Sequence, residues 1–115
     1  MNVSKQNSEL NALALKGDMI TAVTEFFADN VATIDHDGTI IAGKPGHLAK
    51  MEGFLGGIAK VNGITLHHEA SADNLSFSEF TFDFDMKDGS KIYWHEVLRR
   101  IWKDGKVIEE SYFKI

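Results

Sequence analysis

Cysteine is absent from this chain, which excludes disulfides, cysteine–zinc sites and thiol catalysis. Positive charge is scarce: 12 Lys and Arg stand against 17 Asp and Glu, for a formal net charge of −5 at pH 7. With no Lys/Arg cluster to offset that balance, nucleic acid is not an expected partner. Long apolar runs are missing too. Nothing approaches the ~20 residues of a membrane span, so no membrane partner is expected. The stretch from Met1 to Ser8 is too polar to supply the apolar segment of a signal peptide. Together these absences describe a soluble cytoplasmic protein. At 115 residues the chain suits one domain, 1–115, able to bury a core without covalent staples.

Apolar spacing and turn residues set out the organisation. Residues 1–6 are expected to be frayed and disordered. From Ser8, Leu10, Leu13 and Ala14 fall at helical spacing. Gly17 ends that segment and Asp18 can cap the next. The second helix puts Met19, Ile20, Val23, Phe26 and Phe27 on one side, and Asp29-Asn30 breaks it. Val31 to His36 reads as a strand, turned at Asp37-Gly38 into Thr39 to Ala42. A third helix follows Pro45-Gly46, with Leu48, Met51, Leu55 and Ile58 as its sheet-facing stripe. Four strands come after Asn62-Gly63. Leu75 and Phe77 are out of phase with Phe80, Phe82 and Phe84, which predicts a β-bulge near Ser78-Glu79. Helices first and a long antiparallel meander last define an α+β class, with the helices across one sheet face.

Two Asp-Gly pairs, Asp88-Gly89 and Asp104-Gly105, are strong hairpin signals. Read as tight two-residue turns, they fix which side chains share a face. Phe80 then opposes Val97, Phe82 opposes His95, Phe84 opposes Tyr93, and Arg99 opposes Glu110. One face carries the three phenylalanines with Tyr93, His95, Val97, Arg99, Glu110 and Tyr112. The predicted bulge brings Leu66 and His68 to the same face. An apolar surface set with a few titratable groups can be a core or a small-molecule pocket. Trp94, Leu98, Trp102, Val107, Phe113 and Ile115 fall on the opposite face, an apolar stripe that suggests a homodimer through the outer side of the sheet.

Several local patterns have plainer explanations. Gly38 to Lys44 is close to a phosphate-binding loop, but Pro45 stands where a Ser or Thr is needed. In His67-His68-Glu69, strand neighbours point to opposite faces, so no metal site is expected there. Asp35-His36-Asp37 has the same defect, and a turn already accounts for Asp37. His68 and His95 alone read as hydrogen-bonded core histidines, and Arg99 with Glu110 as a cross-strand ion pair. Together on one face with two tyrosines, they need answering by each other, by water or by a ligand.

The chain resembles the NTF2-like superfamily, in its SnoaL-like and ketosteroid isomerase-like branch. The resemblance rests on Ala14-Leu15-Lys16-Gly17-Asp18, on Phe26-Phe27-Ala28-Asp29-Asn30-Val31, on Ala32-Thr33-Ile34-Asp35-His36, on Gly43, and on Asp104-Gly105-Lys106-Val107-Ile108-Glu109. It covers about residues 8–115, and the order of the pieces carries it. It implies a cone, the cystatin-like arrangement of N-terminal helices on a curved antiparallel sheet, with a pocket inside. The general base of such pockets falls at His36, and a histidine titrates in a range suited to proton abstraction near neutrality. The oxyanion-stabilising acid falls near Val97, which cannot serve, and the usual Tyr-x-Asp ending is replaced by Tyr112-Phe113-Lys114. The implied function is an isomerase, cyclase or lyase needing no cofactor, acting on an apolar ligand with a carbonyl or hydroxyl. His36 moves a proton, and Tyr93 or His95 donates a hydrogen bond to developing oxygen charge. The expected cavity walls are Phe26, Phe54, Phe80, Phe82, Tyr93 and Tyr112, with His36, His68, His95, Arg99 and Glu110 as the polar set. The alternatives are a non-catalytic binding module and a protein-interaction domain with a filled core.

Overall fold

The computed structural model describes residues 2–115. Its first helix, α1 (Val3–Leu15), starts well before Ser8. The Asn2 side chain accepts the Lys5 N–H at 3.0 Å, an N-cap, and Val3 is buried in the core. Residues 3–6 are therefore helical rather than frayed; Met1 lies outside the described residues. Gly17, at φ +79, ends the helix in the left-handed region. The Asp18 N–H there reaches back to the Leu13 carbonyl at 2.9 Å, a Schellman closure.

α2 (Met19–Phe26) passes straight into β1 (Phe27–Ile34), so Asp29-Asn30 lies within a strand. β2 (Ile40–Ala42) and α3 (Lys44–Gly56) follow, then β3 (Ile58–Ala72), β4 (Leu75–Met86), β5 (Lys91–Lys103) and β6 (Lys106–Lys114). The strands form one curved six-stranded sheet in the order β2-β1-β6-β5-β4-β3. Among the described residues only the β1–β6 pairing is parallel. The three helices pack against this sheet, the expected α+β cone.

The hairpin registers differ from the tight-turn reading. At the first, Met86 N–H bonds to the Ser90 carbonyl and Asp85 pairs with Lys91. The loop is thus Lys87-Asp88-Gly89, three residues with Gly89 at φ +89, a common alternative to the two-residue turn. That slip of one residue turns β5 over. Phe80 faces Glu96, Phe82 faces Trp94 and Phe84 faces Ile92. The second hairpin closes with the expected two residues, Asp104 (φ 50) and Gly105 (φ 80), and Lys103 pairs with Lys106. A bulge at Ile108 then moves Glu109 opposite Ile101, so Glu110 faces Arg100 rather than Arg99.

β4 has no bulge at Ser78-Glu79. Its even-numbered residues face inward throughout, which buries Ser76 and Ser78 and leaves Phe77 exposed. The irregularity sits in the partner strand, between Leu66 and His68. Inside, one apolar cluster gathers Leu10, Val23, Phe27, Val31, Trp102 and Val107. A second gathers Ala14, Phe80, Phe82, Phe84 and Leu98. A buried polar network ties α1 to the sheet. Arg100 Nη1 donates to Asn7 Oδ1 and Asn11 Oδ1, both at 2.8 Å, and Trp102 Nε1 donates to Ser76 Oγ at 2.9 Å. Among the described residues no helix is long and apolar enough to cross a membrane.

Candidate functional site

A cavity of about 220 Å³ lies between the helices and the concave side of the sheet. Its walls are mostly apolar, with a group of aromatic rings among them. Phe80 and Phe82 stack along β4 at 5.2 Å, and Phe54 of α3 stacks on Trp94 at 5.4 Å while meeting Phe84 edge-on at 5.8 Å. These residues converge because Phe80, Phe82 and Phe84 on β4, Trp94 and Leu98 on β5, and Met51 and Phe54 on α3 all turn toward the cavity. The edge-on and stacked contacts then hold the rings in place.

The more exposed rim carries Asp35 and His36, just after β1, with Lys50 of α3. Desolvation raises the Asp35 pKa, but hydrogen bonds from the His36 backbone, the His36 ring and Lys50 outweigh it and hold the carboxyl at about 2. Asp35 is therefore ionised and can only accept. His36 Nδ1, 2.9 Å from Asp35 Oδ1, must be the donor, and in the neutral ring Nε2 is then the acceptor. Lys50 Nζ holds the other Asp35 oxygen at 3.1 Å.

Deeper in, three titratable groups come from β5 and β6. Glu110 is 3 % exposed and accepts Arg100 Nε at 2.6 Å and the Tyr112 hydroxyl. Burial, then the Glu110 charge, push the Tyr112 hydroxyl well above the usual tyrosine range, so it stays neutral. Glu96 is 8 % exposed. Burial first, and then the charges of Glu110 and Asp35, raise its carboxyl from 4.5 to about 7. His47, from the first turn of α3, also lines the cavity.

Six of the residues expected from the sequence line this cavity: His36, Phe54, Phe80, Phe82, Glu110 and Tyr112. Phe26 does not; it packs edge-on against Trp102 in the other cluster, at 6.3 Å. Tyr93, His95 and Arg99 stand on the outer face because of the β5 slip, and Tyr93 is 64 % exposed. Arg99 pairs there with Glu109 at 3.3 Å. His95 Nε2 lies 2.6 Å from one Glu79 oxygen and His68 Nδ1 2.8 Å from the other. The β3 irregularity puts His67 and His68 on the same outer side, with the His67 ring 5.0 Å from that of His95. Conversely Trp94 and Leu98 line the cavity, and Trp102 and Val107 are core. Of the expected outer stripe, Phe113 and Ile115 remain exposed.

Asp35, His47, Lys50, Glu96 and Arg100 were not expected in the cavity. The spacing Trp94-x-Glu96-x-Leu98-x-Arg100-x-Trp102 holds the signal for two of them, since its three apolar members need cover. A carboxyl thus stands one position before Val97, where an acid was sought and not found.

Three helices packed on a curved, mostly antiparallel six-stranded sheet are the arrangement of the NTF2-like fold. A candidate SnoaL-like polyketide cyclase from Mesorhizobium loti superposes with a TM-score of 0.88 at 21% identity, over 98% of this chain and 99% of that one. An NTF2-like protein from Burkholderia pseudomallei gives 0.82 at 13% identity, over 100% and 92%. A protein from Catenulispora acidiphila with a ketosteroid isomerase-like fold, in complex with trimethylamine, gives 0.73 at 14%, over 89% and 79%. No protein-family model and no curated protein sequence matches the chain. At these identities the likeness is one of fold.

Proposed function

We propose that the protein is an enzyme of the isomerase, cyclase or lyase type, needing no cofactor and moving a proton on an apolar ligand that bears a carbonyl. One observation carries this reading. A single apolar cavity holds two carboxyls driven to opposite states, Asp35 at about 2 and Glu96 at about 7. Surroundings that push two carboxyl pKa values apart mark a division of acid and base roles.

In this reading Asp35 orients His36, and His36 Nε2 takes a proton from the carbon beside the ligand carbonyl. Glu96, protonated up to about pH 7, donates a hydrogen bond to the oxygen where negative charge develops. It takes the role expected of Tyr93 or His95. Returning the proton to another carbon isomerises the ligand, and attack of the enolate carbon on a second carbonyl closes a ring. The cyclase-like protein of similar fold is in keeping with this range of chemistry.

The test is hydrogen–deuterium exchange beside the carbonyl of 1-tetralone and 1-indanone in D2O, followed by NMR. The wild type should exchange faster than buffer, and His36→Ala should lose ~100-fold or more of that gain, as for a general base. Wild-type exchange at the buffer rate, or full activity in His36→Ala, overturns the reading. In the first case a ligand that still binds leaves a binding module.

We further propose that the outer sheet face pairs two copies of the chain. Tyr93, Phe77 and Phe113 are exposed there, beside Val97 and Ile101. Trp94, Leu98 and Trp102 face inward and have no part in it.

A further inference from the structure

The start of α3 is locked to the sheet. Gly43, at φ +93, donates its N–H to the Val31 carbonyl at 2.7 Å, and its own carbonyl accepts the His47 N–H at 3.3 Å. Gly46 lies so close to β2 that a Cβ there would come within 3.0 Å of Ile41. His47 is therefore held in place by backbone. Its ring stacks on Phe27 at 5.4 Å with an interplanar angle of 12°, and only 1 % of the residue is exposed. It nonetheless lines the cavity, and among the described residues neither ring nitrogen has a hydrogen-bond partner. A buried polar group left unpaired is costly, and a small apolar side chain would fill the same space without that cost. The two nitrogens point to opposite sides of the ring, so a ligand group in the cavity pairs one of them.

The surroundings select that group. Desolvation by burial, only partly opposed by the Glu110 charge, holds the imidazole below its usual pKa. Neutral imidazole offers one N–H donor and one lone pair. An anionic ligand group would face the Glu110 carboxylate, and Arg100 already donates to Glu110, Asn7 and Asn11. A hydroxyl, which can donate to the bare nitrogen or accept from the N–H and carries no charge, fits.

We propose that His47 anchors a hydroxyl of the ligand at the closed end of the cavity, which makes the substrate class neutral, apolar and hydroxylated. The proposal rests on the cavity being the ligand site. It adds a second polar point on the ligand, apart from the carbonyl handled by Glu96 and His36.

Three probes of one shape test it: 2-naphthol, naphthalene and 2-naphthoate, with dissociation constants measured by calorimetry or intrinsic fluorescence at pH 7. Wild type should bind 2-naphthol about tenfold or more tighter than naphthalene, the scale of pairing an otherwise buried polar atom. 2-Naphthoate should bind weakest. His47→Phe keeps the stack on Phe27 and should bind the naphthol and naphthalene alike, and His47→Gln should restore part of the preference. Naphthalene bound by wild type with no naphthol preference overturns the role of His47 and leaves the cavity standing. So does a preference that survives in His47→Phe, or tightest binding of the naphthoate. If neither neutral probe binds wild type, the ligand-site reading falls and this proposal falls with it.

Discussion

Replacing Glu96 by glutamine removes a cavity carboxyl whose ionisation burial opposes. The native carboxyl keeps its proton up to about pH 7, whereas the unfolded chain releases it near 4.5. Between those values the native state binds more protons than the unfolded state, so stability falls as pH rises. The contribution is complete below pH 4.5 and gone above 7. At 1.36 kcal/mol per unit, the interval corresponds to about 3 kcal/mol as an upper figure. Glutamine does not titrate. Glu96→Gln should therefore match wild type near pH 4.5 and exceed it near pH 8, by on the order of 10 °C in melting temperature for a domain of this size. Asp35 loses its contribution only as pH falls through 3.8 toward 2, outside this window. Buried His47 acts oppositely, costing stability as pH falls below its usual pKa, but it is common to both proteins and drops out of the difference. Thermal melts of both proteins at half-unit steps from pH 4.5 to 8.5 make the comparison. A melting difference that stays constant with pH would refute the claim that Glu96 is buried and held neutral.

Arg100→Met should destabilise by about 3–5 kcal/mol in urea titration, because it leaves Glu110 charged, buried and unpaired. Pairing it with Glu110→Leu should recover much of that loss, and no recovery would show that the arginine matters through Asn7 and Asn11 instead. Val97→Lys and Phe113→Asp, on the outer face, should each reduce the mass seen by light scattering from dimer to monomer while changing the melting temperature by little; a mass unmoved by both would remove the outer face as the interface.

The element order and the fold class were legible because they depend on helical spacing and on turn residues, which are local. The β5 side of the cavity was misread for a single reason. Asp88-Gly89 supports either a two-residue or a three-residue loop, and the choice depends on how β4 and β5 pack, not on the dipeptide. The two readings differ by one residue and so by a whole face. Assignments on β4 and α3 survived, as Phe80, Phe82 and Phe54 show, and those on β5 inverted, as His95 and Trp94 show. Glu110 and Tyr112 were placed inside through two compensating shifts, the slip at the first hairpin and the bulge at Ile108. The inward serines of β4 could not be read from hydropathy, because their partners, Asn7 and Asn11, lie about seventy residues away on α1. His36 needed no register at all, since it follows the end of β1.

Glu110 serves two structures with one carboxylate. One oxygen holds Arg100, and through it the asparagines that seat α1; the other orders the Tyr112 hydroxyl in the cavity. A change at this position that alters the cavity must also loosen the first helix. Glu96, two strand positions from Leu98 and on the wall of the same cavity, seats no helix. Position 96 and the rim can therefore change what the cavity admits without unseating α1, while the Glu110–Arg100 pair belongs to the frame.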